Sequence, residues 1–258
     1  MRPEPPKRSP WIYPTIGAVA AFTVFAARQV GFSIGRIVDN VANAPDFLAR
    51  FWPPPWDWVL ENVPGPFLET IQIAVMGTLL GCAIAMPLAF LAAQPTAPNP
   101  LAFLVSRSFM NVIRTMPDLF WAMLFVVAVG FNAFAGALAL LFFSLAIMAK
   151  LFSETVDAVD PGPLEAARAA GAGHAAAVQA GVLPQVLPNY VAYALYIFEI
   201  NIRASVVLGL VGAGGIGRVL EAQRAFFRFD RIMGIVVIMF VIVILLEQLS
   251  VSVRRRLV

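Results

Sequence analysis

Between Thr70 and Ala93 no side chain carries a charge. A helix needs about 20 mainly apolar residues to cross ~30 Å of hydrocarbon, and it satisfies every interior backbone donor and acceptor within its own segment. This stretch therefore reads as a transmembrane helix. The same logic picks out Trp11–Ala27, Phe109–Val129, Phe134–Ser153, Asn189–Val211 and Ile232–Val253. Trp11–Ala27 outruns a usual signal segment and lacks an A-x-A-like end, so it reads as a retained span. The proline-rich Gln94–Pro100 closes the second span, and Gly130-Phe131-Asn132 splits the third from the fourth.

Composition agrees. Apolar residues make up 60% of the 258 and charged ones 13%, against ~25% charged in soluble domains. A soluble fold this apolar could not cover its core, so an ordinary cytosolic enzyme is excluded. The fold class is all-α, a polytopic membrane protein with about six transmembrane helices. The net charge of +3 comes from scattered arginines and suggests no nucleic acid. With one cysteine, Cys82, and one histidine, His174, neither a cysteine metal cluster nor a multi-histidine metal site can form. The only lysines, Lys7 and Lys150, do not follow a glycine, so the chain has no phosphate-binding loop. Neither catalytic residues nor bound cofactors are expected. If ATP drives this protein, another subunit hydrolyses it.

Arg2, Lys7 and Arg8 precede the first span, and Arg254-Arg255-Arg256 follow the last. The positive-inside rule places both termini in the cytoplasm, residues 154–188 in a cytoplasmic loop, and 28–66 and 212–231 outside. Arg218, Arg224, Arg228 and Arg231 run against that rule. Gathered at an external mouth, they would concentrate an oxyanion or hold an acidic protein; the plainer account has Glu221 and Asp230 neutralise some of them while the rest meet solvent or lipid phosphates. Trp52, Trp56 and Trp58 suit a headgroup layer. The domain reading is 1–28 for the N-terminal segment and first span, 29–66 for an external loop with interfacial tryptophans, and 67–258 for the main transmembrane domain.

The cytoplasmic loop contains Asp160-Pro161-Gly162-Pro163-Leu164-Glu165-Ala166-Ala167-Arg168-Ala169-Ala170-Gly171 and runs on to Leu183-Pro184. Pro163 and Glu165 mark a helix start, and Gly171 and Gly173 stop it after about two turns. So short a helix has to dock on something or lie idle. Glu165-Ala166-Ala167, Gly171 and Leu183-Pro184 resemble the EAA-x3-G-x9-I-x-LP pattern of bacterial ABC-importer permeases, with Gly181 in place of isoleucine. Asn111–Leu119, Phe198–Ser205 and Val206–Gly217 are similar to the phosphonate-import permease family, as is Asp160-Pro161-Gly162; methionine-import permeases share a related glycine-rich end. The resemblance covers roughly residues 60–258. It implies a type I importer permease fold, a coupling helix docked on an ABC ATPase that binds ATP and Mg, a second copy of the chain as partner, and an extracytoplasmic substrate-binding protein. The setting it implies is the bacterial cytoplasmic membrane.

Three further features are weighed alongside. Gly212, Gly214 and Gly217 satisfy G-x-G-x-x-G, but with no strand before it the motif reads as a tight turn; Gly212, Gly214 and Gly215 are expected to allow close backbone approach. Arg114 and Asp118, and Glu199 and Arg203, stand at i and i+4 within spans. Mutual neutralisation is one account of them, and a water-filled anion pathway that also includes Asn201 is the other. The expected substrate is phosphonate or a related phosphorus oxyanion; phosphite, phosphate and methionine stay open. An ion-coupled secondary transporter is the rival class, which the absence of visible inverted repeats and the EAA pattern both oppose.

Overall fold

The computed structural model describes residues 10–41 and 43–255, and these are helical throughout their regular structure. They divide into two compact units, one ending at Arg50 and the other beginning at Phe51. The second unit thus takes in the tryptophan-rich segment that the sequence reading assigned to an external loop.

The first unit holds α1 (Ile12–Gln29), α2 (Ile34–Val41) and α3 (Ala44–Ala49). Helix α1 buries none of its residues and exposes Trp11, Tyr13, Phe22 and Phe25, as a lipid-facing helix does. A bend of 52° separates it from α2.

The second unit contains α4 (Trp56–Asn62), α5 (Pro64–Leu91), α6 (Pro100–Thr115), α7 (Asp118–Val129), α8 (Ala133–Asp157), α9 (Gly162–Ala169), α10 (His174–Gly181), α11 (Leu183–Leu210), α12 (Gly215–Ala225) and α13 (Phe229–Arg254). Among the described residues, four helices, α5, α8, α11 and α13, are long and apolar enough to cross a membrane singly, and the count reaches six if the bent pairs α1–α2 and α6–α7 each make one span.

The centre of the unit is the pair α5 and α8. Gly77 and Gly81, one turn apart on α5, face Leu140, Leu141 and Ser144 of α8 so closely that a Cβ on Gly81 would lie 2.7 Å from the Leu141 carbonyl oxygen. Small residues at i and i+4 let two helices touch through their backbones, which is how helices associate where hydrophobic burial gives no drive. Helix α11 lies across both.

One sequence expectation fails. Phe109–Val129 is not a single helix: α6 and α7 meet at 86°. Proline disfavours α geometry in the residue before it, and Met116 accordingly takes ψ 132°, with Pro117 itself at ψ 145°. Asp118 then opens α7, where a carboxylate suits the helix dipole. The argument that Arg114 and Asp118 share a helical face fails with it.

Candidate functional site: two ends and a buried polar centre

One end of the bundle carries α9 and α10. Leu164 is the buried residue of α9, packed with Phe152, Val156, Ala177, Val182 and Val186. Burying Leu164 turns the opposite face outward and leaves Glu165, Ala166 and Arg168 exposed, with Ala167 half-buried. Gly171 follows at φ +84°, a left-handed position that ends the helix without steric cost. Gly181, the departure from the EAA pattern, has a structural reason. A Cβ there would stand 2.6 Å from Leu164 Cα and 2.7 Å from Leu164 N, so the backbone of α9 occupies the space a side chain would need. Leu183 and Pro184 form the first turn of α11, where proline lacks only a donor that no helix start uses.

Side chains that sequence reasoning did not single out tie this end together. Gln185 Nε2 donates to the carbonyls of Gly181 (2.6 Å) and Asp160 (3.1 Å), and its Oε1 accepts from Asp160 N–H. Arg168 donates to Pro95 O at 3.1 Å, and His174 Nε2 lies 2.8 Å from Thr96 O. The carboxylate of Asp157 joins Gln94 N–H to Arg107. Apart from the local Gln185–Gly181 bond, these bridge segments 25 to 78 residues apart, and no local spacing announces them.

At mid-height the polar groups converge. Asn201 is fully buried; its Nδ2 donates to Thr78 Oγ1 on α5 and Ser144 Oγ on α8, both at 2.7 Å. It joins three helices. Glu199, buried beside it, accepts from Arg203 at 2.8 Å through Oε1 and from Arg254 of α13 at 3.2 Å through Oε2. The Glu199–Arg203 pair therefore forms, with a third member that the sequence reading had used only for sidedness. Arg114 is exposed in the last turn of α6, and Asp118 borders a cavity of ≈ 460 Å³ with Pro117, Leu119, Ala204, Val207 and Leu208.

The opposite end is a glycine turn. Gly212, Gly214 and Gly215 all have positive φ, +95°, +83° and +69°. The turn lies against the starts of α5 and α8: Ile216 N–H donates to Thr70 Oγ1 at 2.8 Å, and a Cβ on Gly214 would sit 2.8 Å from Ala133 Cα. Gly217 of α12 packs against Gly209 of α11, backbone to backbone. The close approach is made within one protomer.

The four arginines beyond it have different partners. Arg218 lies 3.9 Å from Glu69, and Arg224 is bound to Glu221 through Nε at 2.7 Å. Arg231 stacks 4.5 Å over Trp58, and Arg228 lies 5.8 Å from the Phe226 ring centre. The hydrogen bond from Arg224 holds the Glu221 carboxyl below its ordinary range. Partial neutralisation by Glu221 is present, and Glu69 supplies a second carboxylate that sequence proximity could not indicate.

Comparison with known proteins agrees with this architecture. Residues 85–258 match the family described as binding-protein-dependent transport system inner membrane component. The chain is 38% identical over 233 residues to the phosphate-import permease protein PhnE of Mycolicibacterium smegmatis, covering 90% of this chain but only 44% of that protein's length. It is 39% identical over 190 residues to the phosphite transport system permease protein PtxC of Stutzerimonas stutzeri, covering 74% of this chain and 69% of the relative. Among solved structures, the MetNI methionine ABC transporter in an inward-facing conformation superposes with a TM-score of 0.68 at 20% identity, covering 80% of this chain and 99% of that one.

Proposed function

Given that the chain belongs to the binding-protein-dependent transport system inner membrane components, we propose that it is the permease subunit of an ATP-driven importer for phosphonate or a related phosphorus oxyanion. Two copies pair around a central path, each docks one ATPase subunit that binds ATP and Mg, and a substrate-binding protein delivers the ligand at the glycine-turn end. Both termini lie in the cytoplasm. The observation that carries this reading is the exposed face of α9, with Glu165 and Arg168 outward and Leu164 anchoring it beneath. The relatives named for phosphate and phosphite favour a phosphorus oxyanion over methionine.

In this reading the chain does no chemistry. ATP binding draws the two ATPases together, and α9 carries that displacement into α8 and α11. The permease then passes between inward- and outward-open states. Because substrate has to shift a two-state equilibrium rather than trap it, the pathway itself binds weakly.

The test is Glu165→Arg, which sets a positive charge at the dipole-positive end of α9 without touching the buried Leu164. Copurification of the ATPase and uptake of phosphonate are expected to fall together while the permease still inserts. Unchanged copurification and uptake would remove the coupling assignment. Substrate class is read separately, from ligand binding by the cognate binding protein; preference for methionine would overturn the oxyanion reading alone.

A further inference from the structure

The junction of α12 and α13 holds a feature the transport reading does not use. Helix α12 ends in a pair of reversed hydrogen bonds, Arg228 N–H to Gln223 O and Phe227 N–H to Arg224 O, both at 3.0 Å. That pattern places its central residue in the left-handed region, where glycine is the usual choice. Here the residue is phenylalanine: Phe227 has φ +54° and is the one non-glycine residue with positive φ among those described. A bulky side chain in that region is strained, and such strain persists only where the surroundings compensate for it.

The compensation does not come from burial within the chain, since Phe227 is 77% exposed and Phe226 72%. The Phe227 ring instead begins an aromatic ladder. Phe227 meets Phe229 with centroids 6.2 Å apart, and Phe229 meets Phe51 at 5.1 Å. Trp52 and Trp56 are exposed just beyond Phe51. Arginines rim the tip, Arg228 over Phe226 and Arg231 over Trp58. The tip also has a defined depth. Helix α13 starts at Phe229 and is charge-free from Ile232 to Leu246, so Phe226 and Phe227 lie within about two helical turns of the hydrocarbon boundary.

We propose that Phe226 and Phe227 insert into the lipid headgroup layer, with their rings at the acyl boundary and Arg228 directed at lipid phosphates. Aromatic rings and snorkelling arginines side by side are the composition that layer selects. Helix α12 is then a strut, pinned to the bundle at its glycine start and to the bilayer at its aromatic end. The anchor also accounts for arginines on the side of the membrane where the positive-inside rule does not expect them.

The experiment places a nitroxide at position 226 or 227 (Phe226→Cys or Phe227→Cys, in a Cys82→Ala background). The full-length protein is reconstituted into vesicles of phosphatidylethanolamine and phosphatidylglycerol. Collision with oxygen, which partitions into lipid, is compared with collision with a water-soluble nickel chelate. Ala169→Cys on the exposed face of α9 serves as the aqueous reference. The oxygen-to-nickel ratio at 226 and 227 is expected to exceed that at 169 severalfold. Equal ratios would overturn the proposal. So would shielding at 226 and 227 that develops only when the substrate-binding protein is added, because the tip would then be a protein contact. A second variant separates strain from anchoring: Phe227→Gly relieves the backbone and is expected to keep thermal stability in detergent while raising nickel access at 226. If position 226 stays as deep without the Phe227 ring, that ring is no anchor.

Discussion

The two ends of the bundle share one kind of contact and differ in another. Both set a glycine against a neighbouring backbone, but at the α9–α10 end, where Gly181 lies on Leu164, long side chains also reach across to distant carbonyls: Arg168 to Pro95, His174 to Thr96, Gln185 to Asp160. At the glycine-turn end, backbones touch directly at Gly209–Gly217 and Gly214–Ala133, and one hydroxyl, Thr70, closes the seam. Long side chains can rotate to new partners at a modest cost per hydrogen bond, whereas backbones in van der Waals contact have no rotamers to change. Under the proposed function, the difference suits an end that receives motion and an end that keeps its shape.

The largest predicted effect breaks the rigid end. Gly214→Leu forces a side chain onto Ala133 Cα at a residue with φ +83°, and strain and overpacking together are expected to cost at least about 3 kcal/mol. Membrane-inserted yield and thermal midpoint in detergent should both fall. Because the contact is to backbone inside one protomer, folding is expected to suffer before any gating motion does.

Next comes Gly181→Ile, which restores the residue found in the wider EAA pattern. With Leu164 Cα 2.6 Å from the new Cβ, α9 has to lift away, at roughly 1–3 kcal/mol. ATPase copurification should weaken while the glycine-turn end, probed by proteolysis, stays intact. Gly173→Ala, which meets nothing within 4 Å, is the control.

Arg168→Ala should be milder, removing one side-chain-to-carbonyl bond worth about 1 kcal/mol. Thermal unfolding should shift by no more than that, in contrast to Gly214→Leu. If the two variants are equally damaging, the ends do not differ in kind.

The smallest effect is electrostatic. In Arg224→Gln the Glu221 carboxyl loses the hydrogen bond that holds its pKa down, so it should titrate at higher pH, as carboxyl-resolved NMR would record. A depressed carboxyl stabilises the fold above its unfolded pKa, and that contribution is lost as pH falls through the folded value. Because this pair lies at the surface, with Arg224 exposed and Glu221 partly so, thermal stability at neutral pH should not change measurably.

What the sequence made legible follows from how local each signal is. Apolar runs report spans directly, so α5, α8, α11 and α13 lie close to where hydropathy puts them. The loop motif carries its own proline and glycine punctuation, and α9 begins and ends by it. Pro117, between Arg114 and Asp118, is equally visible as a break, yet the apolar runs on its two sides add up to one span's length, so the stretch reads as a single helix. Across helices the sequence is nearly mute. Glu199 and Arg203 are four residues apart and could be paired by counting; Arg254 and Glu199 are 55 apart and could not. Thr78, Ser144 and Asn201 each stand as a polar residue in an apolar span, which hints that each needs a partner without saying which.

Asn201 has a mechanical consequence. One amide nitrogen grips α5 and α8 from α11, so the three helices can rotate about that point but cannot slide past one another without breaking both hydrogen bonds of the buried Asn201 Nδ2. By residue count, the arm of α11 from Leu183 to Asn201 is roughly 27 Å and the arm from Asn201 to Leu210 roughly 14 Å. The block is then a lever with its fulcrum off centre. A sideways push at α9 reaches the glycine turn reversed and about halved, a ratio that paired distance labels at the two ends would read directly with and without nucleotide. Such gearing exchanges a long stroke at the driven end for a short, forceful one at the other.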